Sequence, residues 1–263
     1  MDLARNLIQR VNLGDSLTRS AAARPDHPAV VDGDLRWTYA EFNAHVNRLA
    51  HGLTALGYTR ADALGIASGN SAEFLALYYA CAKLGVVAVP INLGWRPDEV
   101  AYVLDHSGAR GLAVETQLVA GMQEAIGKVA GVAEVIVMPG LGARYEPEPA
   151  ERHWTTTTGE LAGRGPAGRG TAIQDTAIQD TAQEPQCAVE DRDAISYLYT
   201  SGTTSFPKGV VGTHLGIYLE SMSAALDSGW NASDRFAAMM PMFHTAQLNA
   251  FCTPAVLVGE GCR

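Results

Sequence analysis

Cysteine is scarce, and where it occurs it is placed for nothing but a free thiol. Cys81, Cys187, Cys252 and Cys262 are the four in 263 residues, and no two sit at metal-ligand spacing. A disulfide scaffold and a structural zinc site are both excluded. Basic clusters are absent too, and the net charge is −9. Gripping a phosphate backbone takes concentrated Lys and Arg, so nucleic acid is excluded as the main partner. No apolar run reaches the ~20 residues of a membrane span. The N-terminus carries Arg5 and Arg10 without the continuous apolar stretch of a secretory leader. With unpaired thiols, these absences point to a cytoplasmic protein. No Ser/His/Asp set or Cys/His pair has local support, which leaves a hydrolase without a motif. What is present is 47% hydrophobic and 18% charged, enough to bury a sizeable core in one large domain or two small ones. Leu3, Leu7, Ile8 and Val11 share one face of a short helix, read as a docking helix rather than a membrane anchor.

The first half alternates strand and helix signals. Ala29 to Val31 and Leu35 to Trp37 flank the hairpin turn Asp32-Gly33. Thr38 with Glu41 makes a capping box, Trp37 and Phe42 sit at the positions of a hydrophobic staple, and Phe42, Val46, Leu49, Leu53 and Leu56 keep helical spacing up to Gly57. Ala63 to Ala67 predicts a buried strand. Asn70 with Glu73 predicts a second capping box, opening a helix that runs to Leu84 and stops at Gly85. Val86 to Val89, Leu112 to Val114 and Glu134 to Val137 predict further strands; helices fall after Pro97 and from Val119 to Val129. Apolar strands alternating with amphipathic helices predict an α/β fold, a largely parallel sheet covered on both faces.

Residues 1–139 therefore read as a first α/β subdomain. Residues 140–190 read as a variable loop or linker rich in Gly, Pro, Thr and Glu, in which Thr171-Ala172-Ile173-Gln174-Asp175 repeats at once as Thr176-Ala177-Ile178-Gln179-Asp180. Residues 191–263 read as the start of a second α/β subdomain. It has a strand at Ala194 to Tyr199 and a helix capped by Thr213 and carrying Leu219, Met222 and Leu226. Further strands are expected at Phe236 to Met240 and at Ala255 to Val258, the last leaving an open sheet edge. His214, Tyr197, Tyr199 and Phe243 read as structural, and Asp191 and Asp193 as solvated charges at a strand entry.

The stretch Tyr199-Thr200-Ser201-Gly202-Thr203-Thr204-Ser205-Phe206-Pro207-Lys208-Gly209-Val210 gathers hydroxyls, a glycine and one lysine between a strand and a helix. Backbone N–H groups and hydroxyls donate to phosphate oxygens, and a lysine adds a mobile positive charge. The pattern suits polyphosphate. The bland alternative is a Ser/Thr-rich surface loop with a solvated lysine. It is not a Walker A loop, because Pro207 precedes Lys208 and Gly209 follows it.

The order of these residues resembles the signature of the adenylate-forming enzymes: acyl-CoA synthetases, luciferases and peptide-synthetase adenylation domains. It departs at Ser205, where that family usually has glycine. The segments Val89-Pro90-Ile91-Asn92, Arg96 to Leu104 and Pro241-Met242-Phe243-His244-Thr245-Ala246 are similar to the same family, so the resemblance runs from about Leu17 to the end, apart from residues 140–190. It implies the large N-terminal domain of such an enzyme, truncated. The implied activity is an ATP-dependent acid–thiol ligase that activates a carboxylic acid, for example a fatty acid, as acyl-AMP before transfer to coenzyme A. Alternatives are part of a peptide-synthetase or siderophore adenylation domain, and a non-catalytic nucleotide-binding remnant.

The resemblance further implies that Thr200, Ser201, Thr203 and Thr204 donate to the β- and γ-phosphates. Gly202 lets the backbone approach, and Lys208 balances charge on the leaving pyrophosphate. His244 is implied to lie beside the acyl pocket; its other reading is a hydrogen-bonded core histidine. The implied Mg2+ ligand, a glutamate of a downstream Tyr-Gly-x-Thr-Glu stretch, has no counterpart here. Nor do the ribose-binding aspartate and the small C-terminal domain with its catalytic lysine. No catalytic residue and no metal ligand are assigned, and the chain alone is expected to bind ATP but not to complete adenylation.

Overall fold

The computed structural model describes residues 10–140, 156–158, 160, 182–200, 206–259 and 261–262. The Thr171 to Asp180 repeat, and Leu3, Leu7 and Ile8 of the expected N-terminal helix, lie outside these. Helix α1, Leu13–Ala23, starts on an Asn12 cap. The hairpin forms as its turn residues dictate, β1 Pro28–Asp32 against β2 Leu35–Thr38, with Gly33 at φ 57°. Helix α2, Tyr39–Ala55, carries the reciprocal Thr38–Glu41 capping box, and the Trp37 and Phe42 rings stack with centroids 6.0 Å apart as a staple. Gly57, just past its end, is left-handed at φ 85°.

Next come β3 Ala63–Ala67, α3 Ala72–Leu84, β4 Val87–Pro90, α4 Pro97–His106 and β5 Ala109–Glu115. They lead to α5 Val119–Ile126, β6 Glu134–Met138 and the two-residue β7 Thr156–Thr157. Strand β8 Ala194–Thr200 turns into β9 Lys208–Thr213, and α6 His214–Ser228 follows on its Thr213 cap. The main sheet has the order β7-β6-β5-β3-β4-β8-β9, and every pair in it is parallel except β8–β9. This is the α/β architecture the alternating sequence predicts. Side chains of β3 alternate between its two faces: Leu64 and Ile66 join the core under α1, α2 and α3, while Ala63 and Ala67 join the core under α4 and α5. Helix α3, buried along its whole length, fits no polar face at all.

Four expectations need correction. Asn70 is not the cap of α3: Ser71 is, accepting from the Phe74 N–H, and Glu73 instead meets His45 at 2.8 Å. The expected strand at Phe236 to Met240 shrinks to β10, Arg235–Phe236. Ala255 to Val258 is helical. It ends a run, α7, made of Thr245–Gln247, a π-helical turn Leu248–Cys252 and Thr253–Val258. Pro254 in the first turn and left-handed Gly259 at φ 78° are start and stop signals that outweigh four apolar residues whose period is too short to read. The last strand, β11 Gly261–Cys262, is not an open edge but lies between β10 and β1 in a second sheet of order β10-β11-β1-β2. The helix expected to carry Leu219, Met222 and Leu226 does so on its exposed side, while Ile217, Ser221 and Ala225 face inward.

Residues 182–190, expected to be expanded loop, are packed down at their described positions. Lys83, 2% exposed, donates to Thr18, Asn43, Asn47 and Glu184, and Asn43 also donates to Glu184. Asn47 and His51 bond to the carbonyls of Ala182 and Gln183, and Arg10 donates to that of Cys187. Among the described residues no helix is long and apolar enough to cross a membrane.

Candidate functional site

The β8–β9 hairpin presents the phosphate-type loop. Strand β8 reaches its end at Thr200, and the antiparallel register sets Thr200 directly opposite Lys208, the first residue of β9; both are exposed. Ser201, Gly202, Thr203, Thr204 and Ser205 lie outside the described residues. Because β8 runs parallel to β4 (Ala88 opposite Ser196), Thr200 opens on the sheet edge where β3, β4, β5 and β6 also end. Ligands of open α/β sheets bind at this carboxyl edge.

Local packing fixes the hairpin mouth. The Tyr199 ring lies over Gly209, where a Cβ would stand 3.0 Å from the ring. A side chain at Gly209 would therefore press on the Tyr199 ring, which would have to give by a few tenths of an ångström. The Tyr199 hydroxyl is 2.7 Å from His106 Nδ1. Burial first, then Tyr102 and Tyr197, push the Tyr199 phenol up to about 12, so it keeps its proton at neutral pH.

Behind the hairpin, His214 is fully buried and its Nδ1 accepts from the Leu13 N–H at 3.2 Å. Burial lowers its pKa to about 4; Asp193 opposes this and Arg10 adds to it. The ring is neutral and structural, as its place beside the Thr213 cap suggests. Asp193 is bound to its surroundings, accepting from Arg60 at 2.7 Å and from the Glu190 N–H at 2.8 Å.

The segment Pro241 to Ala246 reaches the same sheet edge through Asn70, in the turn after β3. Asn70 donates to the carbonyls of Ala238 (2.7 Å) and Met240 (2.8 Å) and accepts from the Met242 N–H at 2.8 Å. Gln247 accepts from the Met240 N–H at 3.0 Å. The turn is held by Glu115 at the end of β5, whose buried carboxylate accepts from Ser68 Oγ (3.0 Å) and the Gly69 N–H (2.8 Å). His244 occupies the N-cap position of α7 without a side-chain cap hydrogen bond and is exposed, its ring 4.8 Å from that of Phe243. His244 belongs to neither hydrophobic core. Sequence reasoning missed Asn70 as the anchor of this segment, because its partners are remote in the chain. Among the described residues no group of three or more His, Cys, Asp or Glu is placed to hold a metal ion.

Comparison with known proteins agrees with this fold. The family described as AMP-binding enzyme matches residues 17–262. The chain is 33% identical over 239 residues to the long-chain-fatty-acid–CoA ligase FadD13 of Mycobacterium tuberculosis, covering 90% of this chain and 42% of that protein. It is 31% identical over 243 residues to 4-hydroxybutyrate–CoA ligase 2 of Metallosphaera sedula, covering 92% of this chain and 41% of that protein. The inhibitor-bound crystal structure of the N-terminal domain of FACL13 from Mycobacterium tuberculosis superposes with a TM-score of 0.75 at 29% identity, covering 96% of this chain and 57% of that one. The chain thus spans less than half the length of these two curated relatives.

Proposed function

Because this chain belongs to the AMP-binding enzyme family, we propose that it supplies the phosphate-gripping part of an ATP-dependent acid–CoA ligase. In that reaction a carboxylate attacks the α-phosphorus of ATP, pyrophosphate leaves, and the thiol of coenzyme A takes the acyl group from the resulting acyl-AMP. The observation that carries the reading is the hairpin mouth. The Thr-Ser-Gly-Thr-Thr run begins at Thr200, opposite Lys208, at the carboxyl edge of a mostly parallel sheet. Phosphoryl-type chemistry asks a protein chiefly for positioning and charge neutralisation. The Thr200, Ser201, Thr203 and Thr204 hydroxyls orient the β- and γ-phosphates, Gly202 admits the backbone, and the Lys208 ammonium offsets charge as pyrophosphate departs. His244, exposed on its anchored segment, stands as the acyl-side residue. Magnesium enters only as the ion that accompanies ATP, and no step is assigned to it through this chain. The acid is a small-molecule carboxylate; the named relatives act on both long-chain and short hydroxy acids, so its length is not assigned. The net charge of −9 supports a small-molecule partner over nucleic acid, and four free thiols support work in the cytoplasm.

Titration of ATP into the chain tests the reading. Lys208→Ala removes a charge-assisted contact worth about 1.5–3 kcal/mol, so affinity falls by about tenfold to a hundredfold. Equal affinity in the variant removes the loop from the function.

A further inference from the structure

Four aromatic rings join the two ends of the phosphate-type loop by a path that leaves the hairpin and returns to it. Tyr199, the residue before Thr200, meets His106 edge-on, with centroids 5.8 Å apart, planes at 86° and the 2.7 Å hydroxyl–Nδ1 hydrogen bond. His106 is the last residue of α4 and stacks on Tyr102 one turn earlier, at 5.2 Å and 27°. Tyr102 stacks in turn on Phe206 at 4.7 Å and 29°. Phe206 follows directly on the Ser201 to Ser205 stretch, so the path starts on one side of the loop and ends on the other. Hydrophobic burial explains only part of the arrangement: Tyr199 belongs to the core under α4 and α5 and Tyr102 packs against it, but Phe206 is 54% exposed and His106 is exposed, and neither of these two belongs to a core. An exposed phenylalanine stacked on a tyrosine beside a loop of hydroxyls fixes geometry more than it adds stability.

We propose that Tyr102 and His106 are positioning residues, and that α4 sets through them the separation and direction of the two chain ends from which the phosphate loop springs. The inference rests on the phosphate-gripping reading for its purpose and on the ring geometry for its substance. Tyr199 is pinned from both sides, since Gly209 of β9 lies beneath its ring and His106 holds its hydroxyl. Motion of α4 against the sheet would therefore be felt at Thr200 and Lys208 before any other part of the hairpin.

Amide hydrogen exchange on the 263-residue chain tests this, read at Tyr199, Thr200, Lys208 and Gly209, where the β8–β9 ladder ends. Each offset or edge-to-face pair and the hydrogen bond carry enough free energy that losing one speeds local opening by about tenfold. Tyr102→Ala and His106→Ala are expected to raise exchange at those four amides by about that factor and to leave β3 and β5 unchanged. Tyr102→Phe, which keeps the stack on Phe206, is expected to restore wild-type exchange. ATP affinity should follow the same order, weakened about tenfold in Tyr102→Ala and unchanged in Tyr102→Phe. Wild-type exchange at the hairpin end in Tyr102→Ala overturns the proposal. Should exchange in Tyr102→Ala rise throughout the sheet, Phe206→Ala removes the same stack from an exposed position; a uniform rise there too overturns the proposal in favour of a merely structural role. If Lys208→Ala leaves ATP affinity intact while the exchange pattern appears as expected, the phosphate reading fails and the ring tie stands.

Discussion

One buried histidine contributes a distinct part of this protein's acid sensitivity, and the size of that part follows from where the histidine sits. His214 is 0% exposed, and its Nδ1 accepts the Leu13 N–H, which only a neutral ring with its proton on Nε2 can do. Burial holds its folded pKa at about 4, against 6.5 for the ordinary value. The folded state therefore refuses a proton that the unfolded state accepts. Stability from the neutral ring is complete above the unfolded value and is lost as pH falls toward the folded one. At 1.36 kcal/mol per unit, the loss between pH 7.5 and pH 5 is about 2 kcal/mol, and it approaches about 3 kcal/mol by pH 4. Against a total stability of about 5–15 kcal/mol that is readily measured. Asp193 and Arg10 face the ring with opposite effects, so neither decides the sign. Urea unfolding of wild type and His214→Gln at pH 7.5, 6 and 5 isolates the term. The variant keeps an acceptor for the Leu13 N–H, while His27, whose pKa burial lowers, and the carboxylates with lowered pKa, Glu73, Glu184 and Asp193, titrate in both proteins. The stability difference between the two should shrink by about 2 kcal/mol on going to pH 5. Parallel curves would refute the assignment of a buried neutral ring.

Two further outcomes follow from polar groups that tie remote segments together. Burial lowers the pKa of the Lys83 ammonium against the pull of Glu184; burial of Glu184 is outweighed by the Lys83 charge and by hydrogen bonds from Lys83, Asn43 and Asn47, which hold its carboxyl below the usual range. Lys83→Met strands that carboxylate and should cost about 3–5 kcal/mol in urea unfolding, with part recovered in Lys83→Met/Glu184→Leu; a loss under 1 kcal/mol would show that the 182–190 segment is not held by the pair. Asn70→Ala removes three hydrogen bonds to the 238–242 segment and should cost about 2–3 kcal/mol, with faster amide exchange at Met242; unchanged exchange there would remove Asn70 as the anchor.

Whatever depends on neighbours within about four residues could be read from the chain. The Thr38–Glu41 box, the Trp37–Phe42 staple, the left-handed stops at Gly57 and Gly85 and the proline start of α4 are all of that kind, and all form. The same locality explains the misses. Asn70 and Ser71 are adjacent and both suit a helix cap; what separates them is that Asn70 finds its acceptors 168 and 170 residues away, on a segment no local pattern connects to it. Lys83, at the end of an apolar helix, has no local signal for its partner Glu184, which lies 101 residues on. The run at Ala255 to Val258 was too short for its period to decide, and Pro254 with Gly259 decided it.

The candidate site divides in the same way. The proposed phosphate chemistry rests on contiguous donors, so their order alone carries the signal. Its support is not contiguous, because Tyr199 is held by His106 across 93 residues and the room at Gly209 is limited only when that ring is laid over it. A contiguous motif suggests a ligand class and says little about how tightly the motif is aimed. The aim is set by side chains scattered over α4 and the turn after β3, and substitutions there should separate binding geometry from binding chemistry.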